Sequence, residues 1–260
     1  MVFHPPDIIP LFGPFMVSPH GVAFLVAAVV AYITTRRRVP ARYHRHLEDV
    51  LPFMVVGALF GARLLYVLQN PELWSHPREA FSLWNGGLVS YGGLVGAVLA
   101  WLALLRYRRL PLARLSDALA PAALLGWAIG RIGCLLSWYG ETGTVTTMPW
   151  GFVVDNEQPR HPVMLYLSLA LFLGTAVVLR LEKTTDWPTT ATALVAYGLC
   201  RGSLDFFRDY DPHLLMYTSQ AFCLGLVATG LAILKWGDSR QDWSELEPEV
   251  YNPETTVTCE

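Results

Sequence analysis

The segment Asp117–Gly140, DALAPAALLGWAIGRIGCLLSWYG, is a long apolar run with a single arginine, Arg131, deep inside it. A helix of this length, rising about 1.5 Å per residue, can cross the ~30 Å hydrocarbon core of a bilayer. A charged side chain at bilayer depth is costly and by default marks a functional site. The segment therefore predicts a membrane protein with a site around Arg131.

The rest of the chain has the same character. Hydrophobic residues make up 53% of the 260 positions and charged residues 15%, whereas soluble domains carry roughly 25% charged residues. Backbone groups in lipid must be hydrogen-bonded internally, so the apolar runs are expected to be helices. The predicted fold is all-α, a polytopic membrane protein with about seven transmembrane helices. The predicted spans are about His20–Thr35, Asp49–Leu68, Gly86–Leu105, Leu115–Trp138, Pro162–Leu179, Pro188–Phe207 and Leu214–Leu234.

The basic residues predict the orientation of these spans. Thirteen of the 19 follow the first, third, fifth and seventh spans, and three lie in the intervening loops. Cytoplasmic loops carry the excess of Lys and Arg, so the N-terminus is expected outside and the C-terminus in the cytoplasm. The predicted organisation is an interfacial segment over 1–19, a membrane domain over 20–236 and an acidic, disordered cytoplasmic tail over 237–260.

The four cysteines argue against several classes of chemistry. Cys134, Cys200, Cys223 and Cys259 form no CxxC motif and no paired spacing. A disulfide framework, a zinc site and thioredoxin-like redox chemistry are therefore not expected. A membrane thiol oxidoreductase would need a cysteine pair at the outer face, where Cys134 stands alone.

Three arginines remain inside the predicted spans, namely Arg63, Arg131 and Arg201. Each lies on a span that runs outward, roughly 20 Å from its inner end, so all three are expected at one depth in the outer half of the bilayer. Arginine recognises phosphate oxygens through its planar fork, and such a pocket suits an anionic phospholipid head group. The alternative is structural, because a buried arginine can also bond the carbonyls of a broken helix or extend to the interface.

In the predicted topology, polar residues and glycines lie at the same membrane depth as the three arginines. On the span-six helix, Arg201, Asp205 and Arg208 are spaced to share one face, as an ion-pair ladder or as part of a site. The run WNGGLVSYGG (84–93) indicates irregular backbone beside a ligand, although small residues also let membrane helices pack closely. The further candidates for substrate contact are His20, Ser90, Tyr91, Gly92, Gly93 and Glu141.

Several motifs, in order along the chain, resemble the prolipoprotein diacylglyceryl transferases, which are seven-helix bacterial membrane enzymes. They are GARLLYV (61–67), WNGGLVSYGGLVG (84–96), DALAPAALLGWAIGRIGC (117–134), PWGFVV (149–154), HPVMLY (161–166), YGLCRGSLDFFRD (197–209) and SQ (219–220). The resemblance implies transfer of a diacylglyceryl group from phosphatidylglycerol to the lipobox cysteine of an exported prolipoprotein. Glycerol phosphate would leave, and neither a metal nor another cofactor is implied.

The resemblance also implies roles for individual residues. The two essential family arginines fall on Arg131 and Arg201, and the expected catalytic set adds Tyr91 and Asp205. The expected substrate-binding set comprises Arg63, His20, Ser90, Glu141, Arg208, Gly92 and Gly93. Tyr91 stands where the family has histidine, His20 where it has tyrosine, Cys134 where it has asparagine and Asp205 where it has glutamate.

The implied location is the bacterial inner membrane, with the active site toward the outer leaflet. The implied partners are phosphatidylglycerol, a prolipoprotein signal peptide with its lipobox cysteine, and membrane lipids, with no nucleic acid. Two alternatives follow from the departures: a protein that binds or transports an anionic phospholipid, and an enzyme that acts on a different acceptor. Inverted repeats with broken helices would favour transport, and no convincing repeat is found.

Overall fold

The structure is a computed structural model that describes residues 9–12, 15–17, 19–75, 77–80, 87, 89–136, 143–153, 158–210, 214–237 and 243. Long α-helices dominate these residues. The helices are α1 (Pro19–Arg38), α2 (His44–Gln69), α3 (Pro77–Ala80), α4 (Ser90–Tyr107), α5 (Leu112–Leu136), α6 (Val163–Thr184), α7 (Thr189–Leu204) and α8 (Leu214–Trp236). Short 3₁₀ turns lie at Ala41–Tyr43, Pro71–Ser75 and Asp205–Phe207.

Five helical stretches among the described residues are long and apolar enough to cross a membrane. They are Pro19–Arg38, Ala41–Gln69, Leu112–Leu136, Val163–Thr184 and Met216–Trp236. Many of their side chains point away from the protein; Leu25, Leu173 and Leu224, for example, are each 67% exposed. Apolar surface on this scale is typical of a membrane interaction surface. The architecture is therefore that of a helical, polytopic membrane protein, as predicted.

Three details differ from the sequence prediction. The N-terminal lead-in contains a small antiparallel hairpin, in which β1 (Ile9–Phe12) pairs with β2 (Phe15–Val17). Helix α7 has 16 residues and is shorter than its predicted span, because a 3₁₀ turn begins at Asp205. Helix α4, whose apolar part is Tyr91–Tyr107, is also short.

The chain divides into two compact units, the first formed by Met1–Arg38 with Ser116–Gln241 and the second by Val39–Leu115 with Asp242–Glu260. A buried cluster forms the core of the first unit and joins α5, α6 and α7. Its members are Leu124, Ala128, Leu167, Leu171, Val178, Ala193 and Tyr197. Ser168 on α6 closes this contact by donating a hydrogen bond to the carbonyl of Ala128 at 2.8 Å.

Helices α5 and α7 run parallel in the first unit. Near their N-terminal ends, Asp117 accepts hydrogen bonds from the backbone N–H and the hydroxyl of Thr190, both at 2.7 Å. Further along, the ring of Trp127 meets the ring of Tyr197 edge-on, with centroids 5.9 Å apart. From the first contact to the second, the residue numbers increase along both helices. Residues of α5 and α7 that are about 70 positions apart in sequence therefore lie at the same level.

Helices α1 and α8 run opposite to the helices they contact. Gly126 of α5 lies against Ala27 of α1, whereas Gly133 lies against His20, so α1 is antiparallel to α5. Gly202 of α7 bonds Gln220 of α8, and Gly230 of α8 lies against Ala191. This alternation is what a chain that crosses a membrane back and forth requires.

The second unit is organised around α2 and α4, which pack antiparallel through glycines. A methyl group on Gly61 would collide with the carbonyl of Gly92, and one on Gly96 would collide with the carbonyl of Gly57. At the opposite ends, Arg108 pairs with Asp49 at 2.7 Å. The glycines therefore permit a close helix contact, as small residues commonly do in membranes.

The predicted disordered tail lies almost entirely outside the described residues. Trp243 is described, and it packs within the second unit. Its carbonyl accepts a hydrogen bond from Arg42 at 2.7 Å, and its ring lies 5.4 Å from the ring of Tyr43. The guanidinium of Arg114 lies over the same indole at 4.9 Å.

Candidate active site

Arg201 and Asp205 form a buried ion pair at the C-terminal end of α7. Nη2 of Arg201 lies 3.2 Å from Oδ1 of Asp205, and the two side chains are 3% and 0% exposed. Nη1 of Arg208 lies 3.8 Å from the same oxygen. The sequence spacing predicted that Asp205 contacts an arginine, and the carboxylate contacts both. Two guanidinium groups and one carboxylate leave this cluster with a net positive charge.

Among the described residues, two hydroxyls also contact Asp205. The phenol of Tyr210 donates to Oδ1 at 2.8 Å, and the hydroxyl of Ser219 on α8 donates to Oδ2 at 2.5 Å. Arg201 in turn donates to the Tyr210 oxygen at 3.3 Å, and Arg208 lies over the Tyr210 ring at 4.8 Å. Tyr210 therefore contacts all three charged groups of the cluster.

Burial raises the pKa of the Tyr210 phenol above its ordinary value, and the nearby Asp205 carboxylate adds to that shift. The positive charge of Arg201 acts in the opposite direction but is outweighed. Tyr210 is consequently neutral around pH 7. A neutral phenol can accept from Arg201 and donate to Asp205 at the same time.

The cluster lies where α7 ends and the chain becomes extended. After the 3₁₀ turn, Arg208 adopts an extended conformation and forms an isolated β-bridge with Gly143. The N–H of Thr144 bonds the carbonyl of Phe207 at 2.9 Å. The segment after α5 is thereby attached to the end of α7, directly beside Asp205.

Gly143 is tightly enclosed at this attachment. A methyl group there would collide with the carbonyl of His161 and would lie 2.8 Å from its Cβ. Arg160 donates to the Gly143 carbonyl at 3.1 Å and pairs with Asp209 at 2.7 Å. Glu141, a predicted substrate contact two residues earlier, lies outside the described residues.

Arg131 lies on α5 at the level of Arg201 on α7. It is 8% exposed, and its guanidinium lies 5.6 Å from the centroid of the Trp127 ring, one turn earlier on the same helix. Trp127 contacts Tyr197, and Tyr197 is one turn before Arg201. Arg131 and Arg201 each lie one helical turn after a member of this aromatic pair. Because α5 and α7 are parallel, the two arginines lie at the same height.

His20 lies at the start of α1, near the C-terminal end of α5. Its Cα would be 3.4 Å from a methyl group on Gly133, two residues after Arg131, and its ring lies 4.6 Å from the ring of Phe24. Cys134 is buried beside this contact. The structure thus brings His20 to the end of α5 that carries Arg131.

Arg63, on α2 of the second unit, bonds backbone carbonyls. It donates to the carbonyl of Glu79 at 2.5 Å and to that of Gly87 at 3.0 Å. Its guanidinium also lies 5.1 Å from the ring centroid of Tyr66. Gly87 has a positive φ of 74°, a conformation that glycine adopts at little cost. These contacts match the structural role that the sequence left open for an intramembrane arginine.

The other candidates of the second unit lie at the start of α4. Tyr91 is half-buried, and the side chain of Ser90 lies outside the described residues. Gly92 packs against Gly61, while Gly93 faces Ala58, whose carbonyl would be 3.3 Å from an added methyl group. The two glycines thus have a packing role, and their substrate contacts stay predictions.

The first unit has the chemistry of an anion site. It places Arg131 and Arg201 at one level and adds Arg208, which with Arg201 contacts the carboxylate of Asp205. In a low-dielectric interior, positioned cations interact with an anion far more strongly than they do in water. Arginine, with its bidentate geometry, is suited to phosphate.

The model of the family described as "Prolipoprotein diacylglyceryl transferase" matches residues 6–236 of the chain. The chain belongs to this family. The matched region includes α1 to α8 and the whole Arg201–Asp205 cluster, and it ends before the acidic tail. Membership of the prolipoprotein diacylglyceryl transferase family confirms the resemblance seen in the sequence motifs.

Curated relatives carry the family activity in their names. Proteins named phosphatidylglycerol–prolipoprotein diacylglyceryl transferase are 32% identical in Bordetella parapertussis (over 86% of this chain and 86% of the relative) and 33% identical in Geobacter sulfurreducens (75% and 79%). A third, from Methylocella silvestris, is 32% identical over 88% of this chain and 92% of the relative. The similarity therefore extends over most of both chains.

Sequence reasoning did not identify Tyr210 as a member of the site. It lies just past the end of the predicted sixth span, where a tyrosine is typical of the interfacial belt. Ser219 occurs within a family motif but received no role. The sequence feature that could have indicated either residue was its location near a helix end. Tyr210 follows α7 closely, and Ser219 lies near the start of α8, and these two helix ends meet at Asp205.

Proposed function

We propose that the protein transfers the diacylglyceryl group of phosphatidylglycerol to the lipobox cysteine thiol of exported prolipoproteins. The observation that carries the proposal is the pair Arg131 and Arg201, buried at one level on parallel helices in a chain of this family. A phosphodiester with one negative charge suits such a pair. The products are a thioether-linked diacylglyceryl cysteine and glycerol phosphate.

The reaction is a displacement at the glycerol carbon that bears the phosphate. The sulfur attacks this carbon, the carbon–oxygen bond breaks, and the electron pair leaves with the phosphate. The thiol proton is lost to a base or to the leaving group. The phosphate gains negative charge as it leaves, so positioned arginines stabilise the transition state more than the bound substrate.

Arg131 and Arg201 are proposed as catalytic residues that contact this phosphate, and Arg208 as a substrate-binding residue. A free cysteine has a pKa near 8.5, and nearby cations raise the fraction of thiolate. The same guanidinium groups would thus favour both the nucleophile and the leaving group.

Asp205 is placed to orient Arg201. Both of its oxygens accept hydrogen bonds, and two guanidinium groups lie beside it. These contacts hold the carboxylate in place beside the guanidinium of Arg201. Tyr91, His20 and Glu141 stay as proposed contacts for the acceptor thiol or the lipid head group, and Arg63, Ser90, Gly92 and Gly93 as proposed contacts for the lipid.

We further propose seven membrane-crossing helices, with the N-terminus outside, the C-terminus in the cytoplasm and the site toward the outer leaflet. The distribution of basic residues and the alternating helix directions within each unit support this topology. The layout is an interfacial segment over 1–19, a membrane domain over 20–236 and a cytoplasmic tail over 237–260. The relatives are bacterial, which supports location in the inner membrane, among its lipids.

Complementation tests the function. The gene should restore growth to a bacterium depleted of its own transferase, and labelled phosphatidylglycerol should pass its label to lipoproteins. Failure to restore growth, together with measurable phosphatidylglycerol binding, would support the alternative of a lipid-binding or transport protein. Activity on other thiols alone would indicate a different acceptor.

Thiol labelling tests the orientation. Met148 and Tyr107 are exposed residues that the topology puts on opposite sides of the membrane. In spheroplasts, Met148→Cys should react with an impermeant reagent added outside and Tyr107→Cys should not. The reverse pattern would contradict the topology and separate the site from exported substrates.

A further inference from the structure

In the part of the chain that the structure describes, the neutral side chains of Tyr210 and Ser219 both bond Asp205. Each donates to a different carboxylate oxygen, Tyr210 to Oδ1 and Ser219 to Oδ2. Asp205 has no exposed surface and Ser219 is 3% exposed, so these bonds lie away from solvent. Leaving a buried acceptor without its donor is costly, so both hydroxyls restrict where the carboxylate can point.

The contacts of Arg201 show how this restriction reaches the guanidinium. Its Nη2 atom lies 3.2 Å from Asp205 and 3.3 Å from the Tyr210 oxygen, so two acceptors fix one nitrogen of the planar group. Because the guanidinium is rigid, fixing that nitrogen sets the orientation of the whole fork. Arg208 is restrained as well, by Asp205 and by the face of the Tyr210 ring.

We propose that Tyr210 and Ser219 are positioning residues, which act through Asp205 to hold the Arg201 guanidinium toward the leaving phosphate. The inference rests on the proposed function and deepens it, because it explains how the buried arginine is oriented before substrate arrives. A preorganised donor needs no rearrangement as charge develops, and misplacement of a donor by about 1 Å can cost about 10²-fold in rate.

The neutrality of Tyr210 matters to this role. Burial raises the pKa of its phenol, so it stays protonated while it bonds Asp205. A phenolate would add a second negative charge beside Arg201 and weaken its attraction for phosphate. A neutral hydroxyl orients the ion pair and leaves the net positive charge of the cluster intact.

The test is steady-state transfer by the full-length protein in phosphatidylglycerol nanodiscs, with a lipobox peptide as acceptor. Tyr210→Phe retains the ring over which Arg208 lies but removes the hydroxyl, and Ser219→Ala removes the other donor. Each should lower kcat about 10-fold, because the Arg201 guanidinium is then less well oriented in the transition state, and change KM for the lipid less than about 3-fold. Tyr217→Phe and Ser203→Ala, at exposed positions on α8 and α7, are the matched controls and should match the wild type.

A double variant tests whether Tyr210 acts through Asp205. If it does, Tyr210→Phe combined with Asp205→Asn should be no slower than Asp205→Asn alone, within about 2-fold, because interacting residues are not additive. Multiplicative effects would overturn the proposed route.

The outcomes separate the inference from the function. An active wild type with unchanged kcat in Tyr210→Phe and Ser219→Ala overturns the inference and leaves the function standing. A lower melting temperature with unchanged kcat per folded molecule would assign the hydroxyls to stability and also overturn it. An inactive wild type contradicts the proposed function, and the inference with it.

Discussion

Arg63 and Arg201 are both nearly inaccessible arginines inside apolar helices, yet their surroundings differ in kind. Arg63, on α2 of the second unit, donates to the carbonyls of Glu79 and Gly87. Arg201, on α7 of the first unit, faces the carboxylate of Asp205 and the phenol of Tyr210. In sequence, both were predicted at one depth, and Arg201 also shared a helix face with Asp205.

The partners distinguish the two roles. Arg63 donates to neutral backbone carbonyls of Glu79 and Gly87, and these contacts match a structural role for it beside the proposed contact with lipid. A carboxylate held by two hydroxyls orients a guanidinium, and two arginines to one acid leave positive charge for an anion. An intramembrane arginine is thus assigned from the groups that bind it, not from its depth.

The largest effects should come from the two arginines of the first unit. Arg131→Lys and Arg201→Lys retain the charge but lose the planar fork, so each should lower transfer by more than about 100-fold. Transfer of radiolabelled lipid to a lipobox peptide measures the rate, and membrane extraction confirms insertion. Near wild-type turnover in either variant would show that bidentate contact with phosphate is not needed there.

Arg63→Lys tests whether Arg63 and Arg201 have different roles. A structural role predicts that the folded protein keeps its rate within about 5-fold, while its unfolding temperature falls. Loss of transfer by more than about 100-fold, with an unchanged unfolding temperature, would place Arg63 with the phosphate-binding arginines.

Asp205→Asn should have the next largest effect. It removes the negative charge between two arginines, and breaking a buried pair costs about 3–5 kcal/mol. We expect a loss of rate of about 10- to 100-fold with a lower unfolding temperature, measured on the same purified sample. A stable, fully active Asp205→Asn protein would show that the carboxylate does not orient Arg201.

Tyr91→Phe asks whether the second unit contributes to the chemistry. A hydroxyl that bonds the lipid head group or the attacking thiol predicts a loss of at least ~10-fold in rate, with stability little changed because the ring is retained. The measurement is kcat in the same transfer assay. A fully active variant would assign Tyr91 to the interfacial aromatic belt.

A modest effect should come from Gly143. Gly143→Ala would force the added methyl group against His161, and the segment attached to Arg208 would have to shift. We expect a rate loss of about 3- to 10-fold. Gly225→Ala is the matched control, because nothing lies within 4 Å of its added methyl group. Equal activity of the two variants would show that this attachment does not support the site.

Local pattern was sufficient for most of the long helices and for the positions of Arg131 and Arg201 inside them. The apolar run around Arg131 and the spacing of Arg201, Asp205 and Arg208 follow from helix periodicity, which sequence records directly. The contacts of Tyr210 and Ser219 do not, because they depend on how the chain turns after α7 and where α8 begins. The carbonyl partners of Arg63 could not be predicted either, because every residue has a backbone carbonyl and the sequence does not indicate which one an arginine will contact.

The most direct test of the central claim uses purified protein, phosphatidylglycerol and a peptide with one lipobox cysteine, analysed by mass spectrometry. The account predicts that the peptide gains one diacylglyceryl group on sulfur and that an equal amount of glycerol phosphate appears. Both products should be lost in Arg201→Lys. Binding of phosphatidylglycerol with an unmodified peptide, or transfer that is unchanged in Arg201→Lys, would contradict the account.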